Sequence, residues 1–400
     1  MNYKPSYELL KKYADILVKF ALRGWEGVKK DDVIFVQLPE CAKLFYLPLQ
    51  KSILESWAHP VFEYIPDGVA RHFFENASDQ QLTFYPSYYL HGKVKQMTHV
   101  ISIIADDDMY HLKWVDPKKL SSRMISRKPY IEKRVKKEND GKMTWTAALY
   151  GTQAMAKEAW ITIEDYRKQI INACYLDQKD PIKKWKDIFV QIQTIKDKLD
   201  RMKIERVHVK WKDVDLKIKI WKNRKRLGWW WRNIPSFEIF TSPDWRWTQG
   251  WINLNQPLYR YGQMIKWIKL KFDKWIVSHF EAEQNWEVFK QMLKIQNMDK
   301  LWEFSLTDSR FSRIKKFMAE TLYDENVGWK YGNTHIALWK AFEECYNGGI
   351  KRLTKEFKNK IWLNDSAEHV DIISTTNRIV TAILANWKKK IIYKDGKFTI

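Results

Sequence analysis

The sequence predicts an α/β chain, α+β overall. An N-terminal α/β layer domain with a helical connector is expected over residues 1–185, and a C-terminal, mixed but largely antiparallel β domain over residues 186–400. Three observations carry this. In the first half, short β-rich runs alternate with helical segments, the order that builds a parallel layered sheet. From Tyr150 to about Met202 the pattern is helical, closing on the amphipathic "WKDIFVQIQTIKDKLDRM". In the second half, successive runs alternate apolar and polar residues, the period of strands with one buried face.

The elements follow in order. In "SYELLKKYADILVKFAL", Leu9, Leu10, Tyr13, Ile16, Leu17 and Phe20 recur at helical spacing with lysines between them, and Ser6 is placed to cap the first turn. This is not the unbroken apolar core of a secretory leader, and no stretch approaches the ~18 apolar residues of a membrane span. "DVIFVQL" (Asp32–Leu38), "PVFEYI" (Pro60–Ile65) and "HVISIIA" (His99–Ala105) read as strands, with a helix over Cys41–Ser56. In the second half "ERVHVKW", "DLKIKIW", "FEIFT", "GWINLN", "MIKWIKLKF" and "WIVSHFEAE" read as antiparallel strands, followed by a helix from about Asn285 to Ile295. There is no internal repeat.

Charge invites a nucleic-acid reading, because Lys and Arg exceed Asp and Glu by 22. The lysines are spread along the whole chain and mixed with acids, as in "IEKRVKKENDGK", and no RNA- or DNA-binding signature accompanies them. A solvated lysine-rich surface is the expectation, with a basic nucleic-acid-binding protein as the remote alternative. The three cysteines, Cys41, Cys174 and Cys345, are odd in number and far apart, so a reducing cytoplasm is expected and a disulfide framework is not.

Tryptophan is anomalous. There are 22 Trp and only 14 Gly, half the ordinary glycine share. Several Trp stand where a turn favours glycine: Trp275 between two alternating runs, and Trp57 and Trp160 just past helix ends. Trp267, Trp302, Trp329 and Trp339 are similarly out of place, and "RLGWWWRN" holds three in a row, Trp229, Trp230 and Trp231. Glycine read through a different genetic code is the expectation, with a chain truly rich in tryptophan as the alternative, and the triple-Trp stretch is assigned no ligand role.

No phosphate-binding glycine loop, nucleophile elbow or HExxH stands in the sequence. "EHVDIIS" does place His369 and Asp371 two apart in a β-like run, where side chains share a face and can converge as metal ligands do. "NTHIAL" sets His335 before an apolar run. Together with "RNIPSFEIFTSPDWR", "WEFSL", "ETLYDENVGWKYGNTHIAL", "ILVKFAL" and "YGTQAMAKEAW", these segments resemble the thermophilic aminopeptidase family of metallopeptidases, in order and over nearly the whole chain.

The resemblance implies an exopeptidase that removes N-terminal residues from peptides with a dinuclear metal site. By the same likeness Glu238 and Glu303 are carboxylate ligands, Glu303 bridging the metals and serving as the catalytic carboxylate. His335, His369 and Asp371 complete the set. The ions expected are zinc or cobalt, with manganese or magnesium as further candidates. Peptides are the expected substrates and a cytoplasmic homodimer the expected form, with no membrane association. The resemblance also pairs family glycines with Trp302, Trp329 and Trp339. Two positions depart from the pattern: Phe342 stands where the family has a tyrosine, and Gln249 where Glu-Gly is usual. An oxyanion donor lost at Phe342 makes a catalytically impaired metal-binding relative the alternative.

Overall fold

The computed structural model describes every residue except 1–3, 221–222, 229–231, 261–262, 340, 350–352, 362 and 364–368. The side chains of 117, 339, 355, 359 and 369 also lie outside the description. The chain forms two compact units, Met1–Lys186 with Trp231–Ile234, and Asp187–Trp230 with Pro235–Ile400.

The first unit is built on a five-stranded parallel sheet, in the order His59–Ile65, Val33–Pro39, His99–Ile104, Thr144–Leu149 and Asn233–Ile234. The Val33 and His99 strands read as continuous apolar runs because helices cover a parallel sheet on its faces. Ser6 caps the helix Tyr7–Ile16, its Oγ accepting from the Leu9 N–H at 3.2 Å. The segment expected as one helix over Cys41–Ser56 divides into a 3-10 turn, Glu40–Phe45, and an α-helix, Tyr46–Glu55. The fourth strand, Thr144–Leu149, is absent from the sequence reading. Its buried residues include Ala147 and Ala148, too small to register as a β-rich run.

In the second unit an eight-stranded sheet runs in the order Ile276–Glu281, Ile268–Asp273, Asp244–Leu254, Val214–Lys219, Ile204–Trp211, Ile379–Leu384, Lys389–Lys394, Lys397–Phe398. A five-stranded antiparallel sheet carries the candidate site, in the order His369–Ser374, Asn333–Trp339, Leu301–Thr307, Glu238–Thr241 and Leu227–Gly228. Every residue of Leu301–Thr307 is buried. Its period of two separates Trp302, Phe304 and Leu306 on one face from Glu303, Ser305 and Thr307 on the other.

The register then collects the polar face. Glu303 lies opposite Ala337, which lies opposite Asp371. Ser305 lies opposite His335 and Phe240, and Thr307 opposite Asn333 and Glu238. Cross-strand partners and residues two apart share a face, so Glu238, Glu303, His335 and Asp371 belong to one face of one sheet.

Candidate metal centre

Glu238, Glu303 and His335 converge in a site closed to solvent, at 6%, 3% and 1% exposure. His335 Nε2 stands 3.0 Å from Glu238 Oε2 and 3.6 Å from Glu303 Oε1. One donor atom from each residue lies within 4.8 Å of the others. Glu238 is oriented from behind by Ser305, whose hydroxyl donates to its Oε2 at 2.8 Å. The Phe237 N–H, one residue before it, donates to Asn326 Oδ1 at 2.6 Å.

The electrostatics are those of crowded like charges. Burial acts to lower the His335 pKa, yet hydrogen bonds to Glu238 and Glu303 and the nearby charge of Asp371 raise it well above the ordinary imidazole value. Glu325 is drawn into the same field. Burial, then the charges of Glu238, Asp371 and Glu303, push its carboxyl well above the usual range against the opposing effect of His335. Asp371 is therefore close enough to act on both groups, although it is not one of the three that converge. Its backbone lies two residues after His369 in the strand His369–Ser374. The His369 side chain, expected as a ligand, lies outside the described residues.

Glu325 is the residue that sequence reasoning missed. It follows the short helix Thr321–Asp324 and is 7% exposed. No strand or helix period places it, and only its burial beside other carboxyls reveals it. Phe342 packs against Phe240, with ring centroids 5.0 Å apart, and Phe240 is two residues beyond Glu238 on the polar face. Tyr346, the nearest hydroxyl in sequence, sits instead in an apolar cluster with Trp302, Ala341, Ile361 and Leu363. Gln249 is exposed on the strand Asp244–Leu254 of the eight-stranded sheet.

A divalent cation fits this donor set. Carboxylate oxygens and an imidazole nitrogen are ligands of borderline and hard divalent ions. Like charges gathered in dry protein are costly unless a counter-charge joins them. The oxygen and nitrogen donors would supply the ligands, and a bound ion would supply that counter-charge.

Comparison with known proteins agrees with the site. The chain belongs to the thermophilic metalloprotease family, M29, whose sequence profile matches residues 6–398. It is thus a metallopeptidase by family, and a hydrolase. It is 24% identical to aminopeptidase PepS of Streptococcus thermophilus over 430 aligned positions, covering 100% of this chain and 99% of that one. It is also 24% identical to aminopeptidase 2 of Geobacillus stearothermophilus, with 97% of each chain covered. Among solved structures, wild-type AmpT from Thermus thermophilus shares the fold with a TM-score of 0.84 at 19% identity, over 98% of this chain and 99% of that chain.

Proposed function

We propose that the protein is a metal-dependent aminopeptidase acting through a dinuclear centre held by Glu238, Glu303, His335, His369 and Asp371, with Glu303 shared between the two ions. The observation that carries this is the convergence of Glu238, Glu303 and His335 on one buried sheet face. The relatives named aminopeptidases support the exopeptidase part. When bound, two such ions lower the pKa of a coordinated water, polarise the scissile carbonyl and anchor the substrate's free amine.

The chain's own groups supply the rest. Ser305 fixes the direction of the Glu238 carboxylate. The Glu325 carboxyl, buried beside the carboxyls of Glu238, Glu303 and Asp371, would take a proton from the attacking water and return it to the leaving amine. Burial of the sheet face keeps bulk water from competing for the same donors. No disulfide joins the described cysteines, which supports a cytoplasmic setting, and the homodimer belongs to the same proposal. Among the described residues no helix is long and apolar enough to cross a membrane.

The test is hydrolysis of aminoacyl-p-nitroanilides and free peptides by the zinc- or cobalt-loaded protein, abolished by a chelator. Folded, metal-loaded protein that turns over none of these substrates overturns the proposal.

A second reading, reduced activity on an intact site, is favoured by Phe342. Its ring lies against Phe240 beside the polar face and brings no hydroxyl there. Under this reading Phe342→Tyr raises kcat, by up to about 10²-fold for a restored oxyanion donor. An unchanged kcat removes Phe342 as the cause.

A further inference from the structure

Asn333 is fully buried at the start of the strand Asn333–Trp339, two residues before His335. Its amide nitrogen donates to the backbone carbonyls of Glu325 at 2.6 Å and Val327 at 3.2 Å. Carbonyl oxygens only accept, so the two contacts settle which end of the amide faces the 325–327 turn. Asn333 Oδ1 is left facing His335 Nδ1 at 3.4 Å. That oxygen can only accept, so Nδ1 carries a proton, and in the neutral ring that a metal ligand requires the lone pair then falls on Nε2. Nε2 is the ring atom that faces Glu238 and Glu303.

We infer that Asn333 is a positioning residue that holds His335 in its Nδ1–H tautomer and thereby presents Nε2 to the metal. The inference rests on the metal-binding reading above. A ligating histidine is commonly fixed by a partner at its other ring nitrogen. Here the same side chain also holds the backbone of Glu325, so one buried amide couples the ligand histidine to the proton-carrying carboxyl.

Nitrogen NMR of the zinc-loaded wild-type protein tests it. Expected is a His335 ring protonated at Nδ1 and zinc-bound at Nε2. Zinc bound through Nδ1 overturns this assignment alone, whereas a wild-type protein that takes up no zinc overturns the metal reading and this assignment with it. In variants, Asn333→Leu lowers zinc affinity by about 10- to 100-fold. Asn333→Asp, which keeps an acceptor toward Nδ1, retains more of it. Equal losses in the two variants contradict the tautomer role.

A different observation carries a second inference. Fifteen described residues other than glycine have a left-handed backbone, and six are tryptophan: Trp25, Trp57, Trp160, Trp267, Trp275 and Trp387, with φ from 53° to 74°. Tryptophan is 22 of 400 residues, so an even spread over a conformation that bulky residues avoid places about one among fifteen. Each of the six is also more than 40% exposed, whereas tryptophan is ordinarily well buried.

Their places are glycine places. Trp57 and Trp160 follow the caps Ser56 and Ala159 of the helices Tyr46–Glu55 and Gln153–Glu158, the position where a left-handed glycine closes a helix. Lys274 and Trp275, with φ 46° and 74°, form the two-residue turn joining Ile268–Asp273 to Ile276–Glu281. That turn type demands positive φ twice and favours Asn-Gly. Trp387 follows Asn386 in the turn between Ile379–Leu384 and Lys389–Lys394, its N–H donating to the Leu384 carbonyl at 2.8 Å.

We propose that glycine occupies positions 25, 57, 160, 267, 275 and 387 in the producing cell, a UGA codon being read there as glycine. The backbone also separates these from other tryptophans. Trp302, expected among the glycines, fills an apolar cluster at 0% exposure, and Trp185 is equally buried with its Nε1 donating to the Cys174 carbonyl at 3.1 Å. Trp229, Trp230, Trp231 and the Trp339 side chain lie outside the described residues. Trp275 lies against the Trp247 ring and Arg206 lies over the Trp387 ring, so an indole has some reward at those two positions.

Peptide mass spectrometry of the protein purified from its producing cells decides. Expected are glycine masses at all six positions and tryptophan at Trp185. Tryptophan at any of the six overturns the assignment for that position, and tryptophan at all six overturns the proposal.

Discussion

His99 in the first unit and His335 in the second are both buried, at 3% and 1% exposure, and their surroundings treat charge in opposite ways. His99 is closed into a satisfied local network. Its Nε2 meets Asp32 at 3.0 Å and its Nδ1 meets the Thr144 hydroxyl at 2.7 Å. Asp32 in turn takes two hydrogen bonds from Arg23 and one from the Lys29 N–H. Burial holds the His99 pKa below its ordinary value, against the pull of Asp32. Around His335 the carboxyls of Glu238, Glu303, Asp371 and Glu325 crowd one another instead, and the histidine pKa is driven up. A buried histidine matched to one neutralised carboxylate is an architectural tie. A buried histidine among several carboxyls is a place prepared for a cation.

The comparison is broken or sharpened by substitution. The largest effect is expected at Glu325→Gln, which keeps shape but removes the proton carrier. It should lower kcat by about 10²–10⁴-fold with the melting temperature little changed. A kcat within threefold of wild type would take Glu325 out of the chemistry. Next is Asp32→Ala, which leaves His99 and Arg23 without their shared acceptor. It should cost about 1–3 kcal/mol in denaturant unfolding while kcat per folded molecule stays at the wild-type value. A loss of activity without a loss of stability would reverse the roles given to the two histidines. Ser305→Ala, which frees the Glu238 carboxylate, should weaken zinc binding by about tenfold or more, read by competition with a chelating dye.

The smallest effect is a pH dependence confined to the first unit. Because the His99 pKa is lowered by folding, the unfolded chain binds a proton there first, as pH falls through the ordinary value of 6.5. Burial acts to raise the Asp32 pKa, but Arg23, the Lys29 N–H and His99 outweigh it and lower it below 3.8, so its stabilisation is also lost on acidification, at lower pH. Both groups make stability fall with pH. Unfolding midpoints of wild type and His99→Gln should therefore converge between pH 7.5 and about 5.5. A gap that widens on acidification would place the proton on His99 in the folded state.

The same contrast explains what was legible in the sequence. Strands such as "DVIFVQL" and "DLKIKIW" announce themselves because burial on both faces or on one writes a continuous or an alternating apolar pattern. Thr144–Leu149 escapes because its core contribution includes two alanines. Glu238, Glu303, His335 and Asp371 stand in strands with recognisable segments around them, and the sheet register brings them to one face. Glu325 stands in a turn with no period, and its proximity comes from long-range packing that no local spacing encodes. Asn333 is likewise silent in sequence, since its role depends on which end of an amide faces a turn eight residues earlier. The tryptophans gave the reverse case: local physics pointed to glycine at Trp57, Trp160, Trp267 and Trp275, and the left-handed backbone has that requirement at each.

The central claim is that the Glu238, Glu303 and His335 face binds catalytic metal, and calorimetric titration of zinc into chelator-stripped protein addresses it most directly. The account predicts saturable binding with proton release in the wild-type protein and its loss in both Glu303→Gln and His335→Ala, each still folded by circular dichroism. Zinc binding of wild-type strength in those two variants would contradict it.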